Sequence, residues 1–283
     1  MARSGIKAQK RIRGVLFYVI AALLSAIEVF PFLYMVLTSF QAEDSAIFTI
    51  PPSIIPKVWY LGNYPEAITQ MKFMQALGNT CLLIVSSLTI NVIATVVIAY
   101  GFARFESKGK NFLFNLLLST MMLPWVVTMV PAFVEFKFLN LLNTRWPLIL
   151  PAIGGSAYYV FMMRQFIMGI PKDLDEAAAI DGCGALRTLI LIILPNMKPV
   201  LATMITFCFV GTWSDYLGPS IYLTNPEHYT LALALRGLKD GQTNVRMWRL
   251  TMAGSVLYTL PMLAIFLGAQ KYFVEGLVVS SFK

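Results

Sequence analysis

The residue types that carry chemistry are scarce in this 283-residue chain, and their spacing argues against catalysis. The one histidine, His228 in TNPEHYT, has no second His or Cys at metal-ligand spacing, so it reads as a loop residue. Cys81, Cys183 and Cys208 are odd in number and imply no disulfide framework. The stretch ESKGKN offers Gly109 and Lys110 but lacks the first glycine and the Ser/Thr of a phosphate loop, so it holds no nucleotide. Glu28 lies within a long apolar run, where a charge costs about 2.5–3.5 kcal/mol on insertion scales. It reads either as a proton-coupling carboxylate or, more simply, as one satisfied by a neighbouring helix or subunit.

One polar stretch is patterned: DLDEAAAIDGCGALRTLILIILP, residues 173–195. Asp173 is placed to cap a helix, with Glu176 three positions on completing a capping-box-like pair, and Asp175 and Glu176 suit the positive helix start. Ala177, Ala178 and Ala179 extend the helix at little entropic cost, and Gly182 is placed to end it. A two-turn helix is not stable alone, so it needs something to dock against. Its only bulky apolar residues are Leu174 and Ile180, which suits a narrow cleft. Gly182 and Gly184 permit a sharp turn into 185–194, and the chain returns toward apolar surroundings at Pro195.

The elements that position this stretch follow from hydropathy. With 58% hydrophobic residues, 13% charged and mean hydropathy +0.70, the chain exceeds what one soluble core hides. Six runs are long enough to cross a bilayer as helices, near 14–39, 77–103, 111–135, 147–169, 197–216 and 249–273. The expected fold is therefore an all-α integral membrane protein with six transmembrane helices in one domain spanning 1–283. Arg3, Lys7, Lys10, Arg11 and Arg13 precede the first run, which places both termini on the cytoplasmic side. The loop 170–195 between helices four and five is then cytoplasmic, and loops 40–76 and 217–248 lie outside. The apolar run continues through Phe40 without a cleavage signal, so the first helix reads as a retained anchor. The net charge of +8 is membrane-orienting; the basic residues do not gather on a face for nucleic acid. Arg164 and Lys198 sit near helix ends, where snorkelling explains them. The glycines of IGGS at 153–156 read as close helix packing inside an apolar helix.

Glu176, Ala177, Ala178, Gly182, Ile192, Leu194 and Pro195 form the pattern E-A-A-x-x-x-G, nine residues, then I-x-L-P. This resembles the cytoplasmic signature of permease subunits of bacterial ATP-binding-cassette importers. PFLYMVLTSF, IPPSIIPKVWYLGNYPEAI, GTWSDYLGPSIYLTNPEHYTLALAL and QKYFVEGLVVSSFK are similar to segments of the carbohydrate-type permeases, above all the maltose-type second permease. Cys183 followed by Gly184 departs from the family, which usually has Ala after the Asp-Gly pair.

The resemblance implies a transport subunit of the inner membrane, binding no cofactor itself. A second, homologous permease would complete a heterodimeric pathway, two cytoplasmic ATPases would carry ATP and Mg, and a soluble binding protein would deliver a sugar or oligosaccharide. Glu176, Ala177, Ala178, Asp181 and Gly182 would contact the ATPase. Sugars are held by aromatic faces and polar groups, which makes Trp125, Thr128, Tyr158, Tyr159, Trp213 and Asp215 candidates along the pathway. Three alternatives remain: a non-sugar solute, a transporter driven by an ion gradient with Glu28 as coupling group, and a membrane scaffold that only recruits a cytoplasmic protein.

Overall fold

The computed structural model describes the backbone of residues 2–42, 53–239 and 245–281, and the side chains of 13–42, 53–238 and 246–268. The basic side chains of Arg3, Lys7, Lys10 and Arg11, the outer-loop stretch 43–52, and the side chains of QKYFVEGLVVSSFK beyond Ala269 lie outside the described residues. Among the described residues all regular structure is helical. In chain order the helices are α1 (Ala2–Ser39), α2 (Asn63–Gln70), α3 (Phe73–Arg104), α4 (Lys110–Ser119), α5 (Trp125–Phe138), α6 (Trp146–Ile149) and α7 (Ala157–Met168). There follow α8 (Asp173–Ile180), α9 (Ala185–Thr188), α10 (Leu194–Asn196), α11 (Lys198–Ser214), α12 (Leu217–Tyr222), α13 (Leu231–Lys239) and α14 (Val245–Ser281).

Among the described residues four stretches are long and apolar enough to cross a membrane as they stand: Arg13–Ser39, Phe73–Arg104, Trp146–Met168 and Arg246–Gly268. The number rises to six if two bent pairs each count as one span. The helix expected over 111–135 is broken, because Lys110–Met122 and Trp125–Phe138 meet at 99°. Pro124 is the cause: its ring disfavours helix in the preceding residue, and Leu123 is extended at φ −83°, ψ 113°. The helix expected over 197–216 runs from Lys198 to Ser214 and is bent 83° from the preceding Ala185–Asn196. Pro199 has no amide to give to the carbonyl four residues back, so the hydrogen-bond ladder fails at that join. Residues 189–193 just before it form a π-helical turn. The stretch expected as a continuous helix over 147–169 tightens to a 3-10 turn at 150–154 and stops at Gly155, whose φ is +65°. IGGS therefore marks a helix break as well as a close approach: a Cβ on Gly155 would sit 3.2 Å from Thr95 Oγ1 of α3.

The chain divides into two compact units, residues 1–71 with 235–260, and 72–234 with 261–283. In the first, a buried arginine organises the polar chain around α2. Arg249, 3% exposed, donates from Nη1 to Asn63 Oδ1 at 3.1 Å and to the Gln41 carbonyl at 3.3 Å. Asn63 Nδ2 in turn donates to the carbonyls of Ser39 and Gln41 at 2.8 and 3.0 Å. A buried charge is tolerated when its hydrogen bonds are met in this way. Arg246 pairs with Glu66 close by. Glu28 is exposed on α1.

The core of the second unit lies where α3 packs on α7. Val96, Ala99, Tyr100 and Ala103 recur at helical spacing on one face of α3, and Val160, Met163 and Ile167 face them. The two alanines let the helix axes approach closely, as small residues do where lipid supplies no hydrophobic drive. Leu189, Ile193, Met197 and Met204 close the cluster from the α9–α11 side.

Candidate functional site

The patterned loop forms the expected short helix, α8, from Asp173 to Ile180. Its start differs from expectation. Asp173 is the first helical residue, not the cap, and the flanking Lys172 makes no side-chain capping bond. Asp173, Asp175 and Glu176 still crowd the first turn, where the helix dipole favours them. The end follows the sequence reading. Gly182 takes φ +79°, its amide donates to the Ala179 carbonyl at 3.1 Å, and the Cys183 amide donates to the Ala178 carbonyl at 2.8 Å. This paired closure, with a left-handed glycine between, is the Schellman arrangement. Gly184 is extended at φ −74°, ψ 165°, a conformation any residue adopts.

Glu176, Ala177, Asp181 and Gly182 are exposed, as is Ile180 at 87%. Ala178 differs, being 3% exposed within the chain itself. Part of the support that so short a helix needs is internal. Arg104, the last residue of α3, brings Nε to 2.9 Å from Asp175 Oδ2, with side-chain exposures of 7% and 21%. Its Nη2 donates to the Ile170 carbonyl at 3.0 Å, in the segment leading into α8. The Nε–H is not aligned on the carboxylate as a hydrogen bond, so charge holds this pair more than direction does. Nothing in the sequence distinguishes Arg104 from the other basic residues near helix ends, and sequence reasoning missed it.

Arg164 corrects the snorkelling expectation. Its Nε donates to the Phe102 carbonyl at 3.1 Å, and its guanidinium lies 4.2 Å from the centroid of the Phe114 ring. The last carbonyls of a helix lack partners within it, and α3 satisfies one of them with this cation.

A cavity of about 560 Å³ opens between α3, the Trp146–Met168 stretch and the end of α11. Ser87, Asn91, Ser156, Tyr159, Thr212 and Asp215 supply polar groups to its wall, and Leu83, Leu88, Leu148 and Phe207 supply apolar surface. Among the described residues none of those lining it is Lys, Arg or His. Asp215 is braced in the wall, where Oδ1 accepts the Gly218 amide at 3.0 Å. On the α3 wall, Thr95 Oγ1 donates to Asn91 Oδ1 at 3.0 Å. Hydroxyls and an amide set among ring and aliphatic surface can hold a polar ligand by several hydrogen bonds at once.

Of the six pathway candidates, Tyr159 and Asp215 line this cavity and the other four do not. Trp213 is 2% exposed and stacks on Phe209, so it is a packing residue. Trp125 and Thr128 are exposed on α5, and Tyr158 is half exposed beside Tyr159. Ser87, Asn91, Ser156 and Thr212 were missed. The first two are one helical turn apart on α3, with Thr95 one turn further, and that polar stripe in an apolar span was the available signal.

His228 is structural: its Nδ1 lies 2.7 Å from the Asn143 carbonyl. The three cysteines are free thiols.

A family model described as "Binding-protein-dependent transport system inner membrane component" matches residues 91–279. The chain is 32% identical over 282 residues to the galactooligosaccharides transport system permease protein of Bacillus subtilis, covering 98% of each. It is 31% identical to the arabinooligosaccharides transport system permease protein of Halalkalibacterium halodurans, over 93% of this chain and 94% of that one. It shares its fold with a chain of a bacterial ABC transporter involved in the import of the acidic polysaccharide alginate. That likeness has a TM-score of 0.83 at 22% identity, over 93% of this chain and 97% of the other.

Proposed function

Since the chain belongs to the family of binding-protein-dependent transport system inner membrane components, a family of ABC transporter permeases, we propose that it is one of two permeases lining the path of a sugar or oligosaccharide importer. The observation that carries this reading is the match, over nearly its whole length, to permeases named for oligosaccharides. The polar-lined cavity supports it, because a sugar presents hydroxyls and apolar ring faces together and the wall offers partners for both. The chain itself performs no chemical step. A soluble binding protein delivers the solute from outside, a second permease completes the path, and two cytoplasmic ATPases supply the free energy.

The loop carrying α8 is the element through which the ATPases act. Glu176, Ala177, Asp181 and Gly182 present the outward contact, while Ala178 sets the seating of the helix on its own chain. When the ATPases close on ATP they bind the loop in one arrangement better than in another, and that difference shifts the path between inward- and outward-open states.

The test is uptake by proteoliposomes holding this chain with its partner permease and ATPases, supplied with binding protein and labelled galacto- or arabino-oligosaccharide. ATP-dependent uptake that stops without the binding protein is the expected result. Uptake driven by an ion gradient without ATP, or no flux under any condition, overturns the reading.

A further inference from the structure

The loop helix is covalently continuous with α7 on one side and with α9 on the other, yet not with α3. The wall of the cavity is nonetheless partly α3, through Ser87 and Asn91. Any motion of the loop must reach that helix by a non-covalent route. Arg104 is the last residue of α3, about 20 Å along the helix from Asn91 at 1.5 Å per residue. It alone among the described side chains of that helix end bonds both to the segment entering α8 and to α8 itself.

We infer that Arg104 and Asp175 are a positioning pair that makes α3 follow the loop helix, carrying loop motion to the cavity wall. This rests on the proposed transport function, in which the loop is what the ATPases move. Three features fit the task. Both side chains are shielded from water, so their attraction is screened far less than that of a surface pair. The pair is held by charge with little alignment, which fixes separation more strictly than angle. The second bond, from Nη2 to the Ile170 carbonyl, ties the same guanidinium to backbone, so the cation cannot swing away with Asp175 alone. Arg104 and Asp175 touch no solute; they act through the helices they join.

The experiment uses the complete complex in proteoliposomes, with the wild type, Arg104→Gln, Arg104→Lys and the double variant Arg104→Met/Asp175→Ala. Three quantities are read: the ATPase retained on purification, the oligosaccharide imported per ATP hydrolysed, and the distance between spin labels at Ser107→Cys and Lys172→Cys with and without ATP. Both label positions are exposed, one just beyond α3 and one just before α8. The expected result is normal ATPase retention with import per ATP lowered roughly five- to tenfold in Arg104→Gln and in the double variant. Arg104→Lys, which keeps the charge without the fork, should fall between. The label distance should stay constant through the ATP cycle in the wild type and change in the uncoupled variants.

Recovery of import per ATP in the double variant would overturn the inference, since the defect of the single variant would then come from one unpaired buried charge. So would a label distance that behaves the same in wild type and Arg104→Gln. Loss of retained ATPase in step with import would equally overturn it, by making the pair a docking element. Failure of the wild type to couple uptake to ATP is a different result and strikes the proposed function itself.

Discussion

The two ends of α3 are fastened by different chemistry. At its C-terminal end, one ion pair connects it to a short helix with exposed apolar residues, and one bond to the Ile170 carbonyl connects it to the segment before that helix. At its N-terminal end, Asn79 sits at the centre of a web of directed bonds. Its Nδ2 donates to the carbonyls of Glu227 and Tyr229 at 2.8 and 3.0 Å, and its Oδ1 accepts Arg145 Nη2 at 2.6 Å. Thr80 Oγ1 accepts the Leu231 amide one residue further along. Asn143, at φ +59°, extends the web: Oδ1 accepts the amides of Thr224 and Asn225, its amide donates to the Tyr222 carbonyl, and its own carbonyl meets His228. Several short bonds from fixed directions leave a segment one arrangement, whereas a charge pair tolerates rotation. The N-terminal end of α3 is thus built to stay in place, while its C-terminal end, itself packed on α7, is joined to α8 by a link that can pivot.

The sharpest way to break this comparison is Asn79→Ala. It strips partners from Arg145 and from two carbonyls in a region where Asn79 itself is 8% exposed. A loss of roughly 2–3 kcal/mol is expected, since buried groups left unpaired carry their desolvation cost. The thermal inactivation midpoint of the purified complex should fall, while import per ATP in the surviving complexes stays near the wild-type ratio. A ratio that drops as far as in Arg104→Gln would mean the two ends do not differ in kind.

The difference between the ends also marks how much was legible beforehand. The helices α1, α3 and α14 follow from unbroken apolar runs, and α8 follows from its own alanines and Gly182, all signals within one turn or one span. Pro124 was visible as a helix breaker, but the apolar run around it, 111–135, was long enough to read as a single span, and hydropathy does not record direction; at Pro199 the expected start of a helix at 197 agrees with the Lys198 start of α11. Asn79, Arg104 and Arg145 were illegible for another reason. Each acts on a residue far along the chain, and nothing local separates Arg104 from Lys108, which is exposed. The cavity falls between these cases. Ser87 and Asn91 share a helix face that the spacing betrays, whereas Ser156 and Thr212 join them only through the packing of α7 and α11 against α3.

A smaller effect is expected at Gly182, which closes the helix that this link joins to α3. An Ala there meets no neighbouring atom within 4 Å, so the cost is backbone strain at φ +79°, roughly 1–2 kcal/mol. Relieving that strain would unwind the last turn of α8 and release the closing bonds from Gly182 and Cys183. Binding-protein stimulation of ATP hydrolysis should fall several-fold, with Gly182→Asn milder because asparagine tolerates the left-handed region. Unchanged stimulation in Gly182→Ala would show that the turn contributes nothing to the pivot.

The smallest effect belongs to Gly184, the second glycine of the turn, which follows Cys183. Two glycines so close invite the view that the elbow is loose. The geometry argues otherwise: the Cys183 amide is committed to the Ala178 carbonyl, Gly184 is extended, and a methyl added there meets nothing within 4 Å. Gly184→Ala should therefore leave import per ATP unchanged and raise the inactivation midpoint slightly, by the ~0.4–1 kcal/mol that such a change removes from unfolded-chain entropy. A fall in import per ATP would instead mean that Gly184 passes through positive φ in another state of the cycle. The pivot would then lie in the backbone after α8 as well as in the pair at the end of α3.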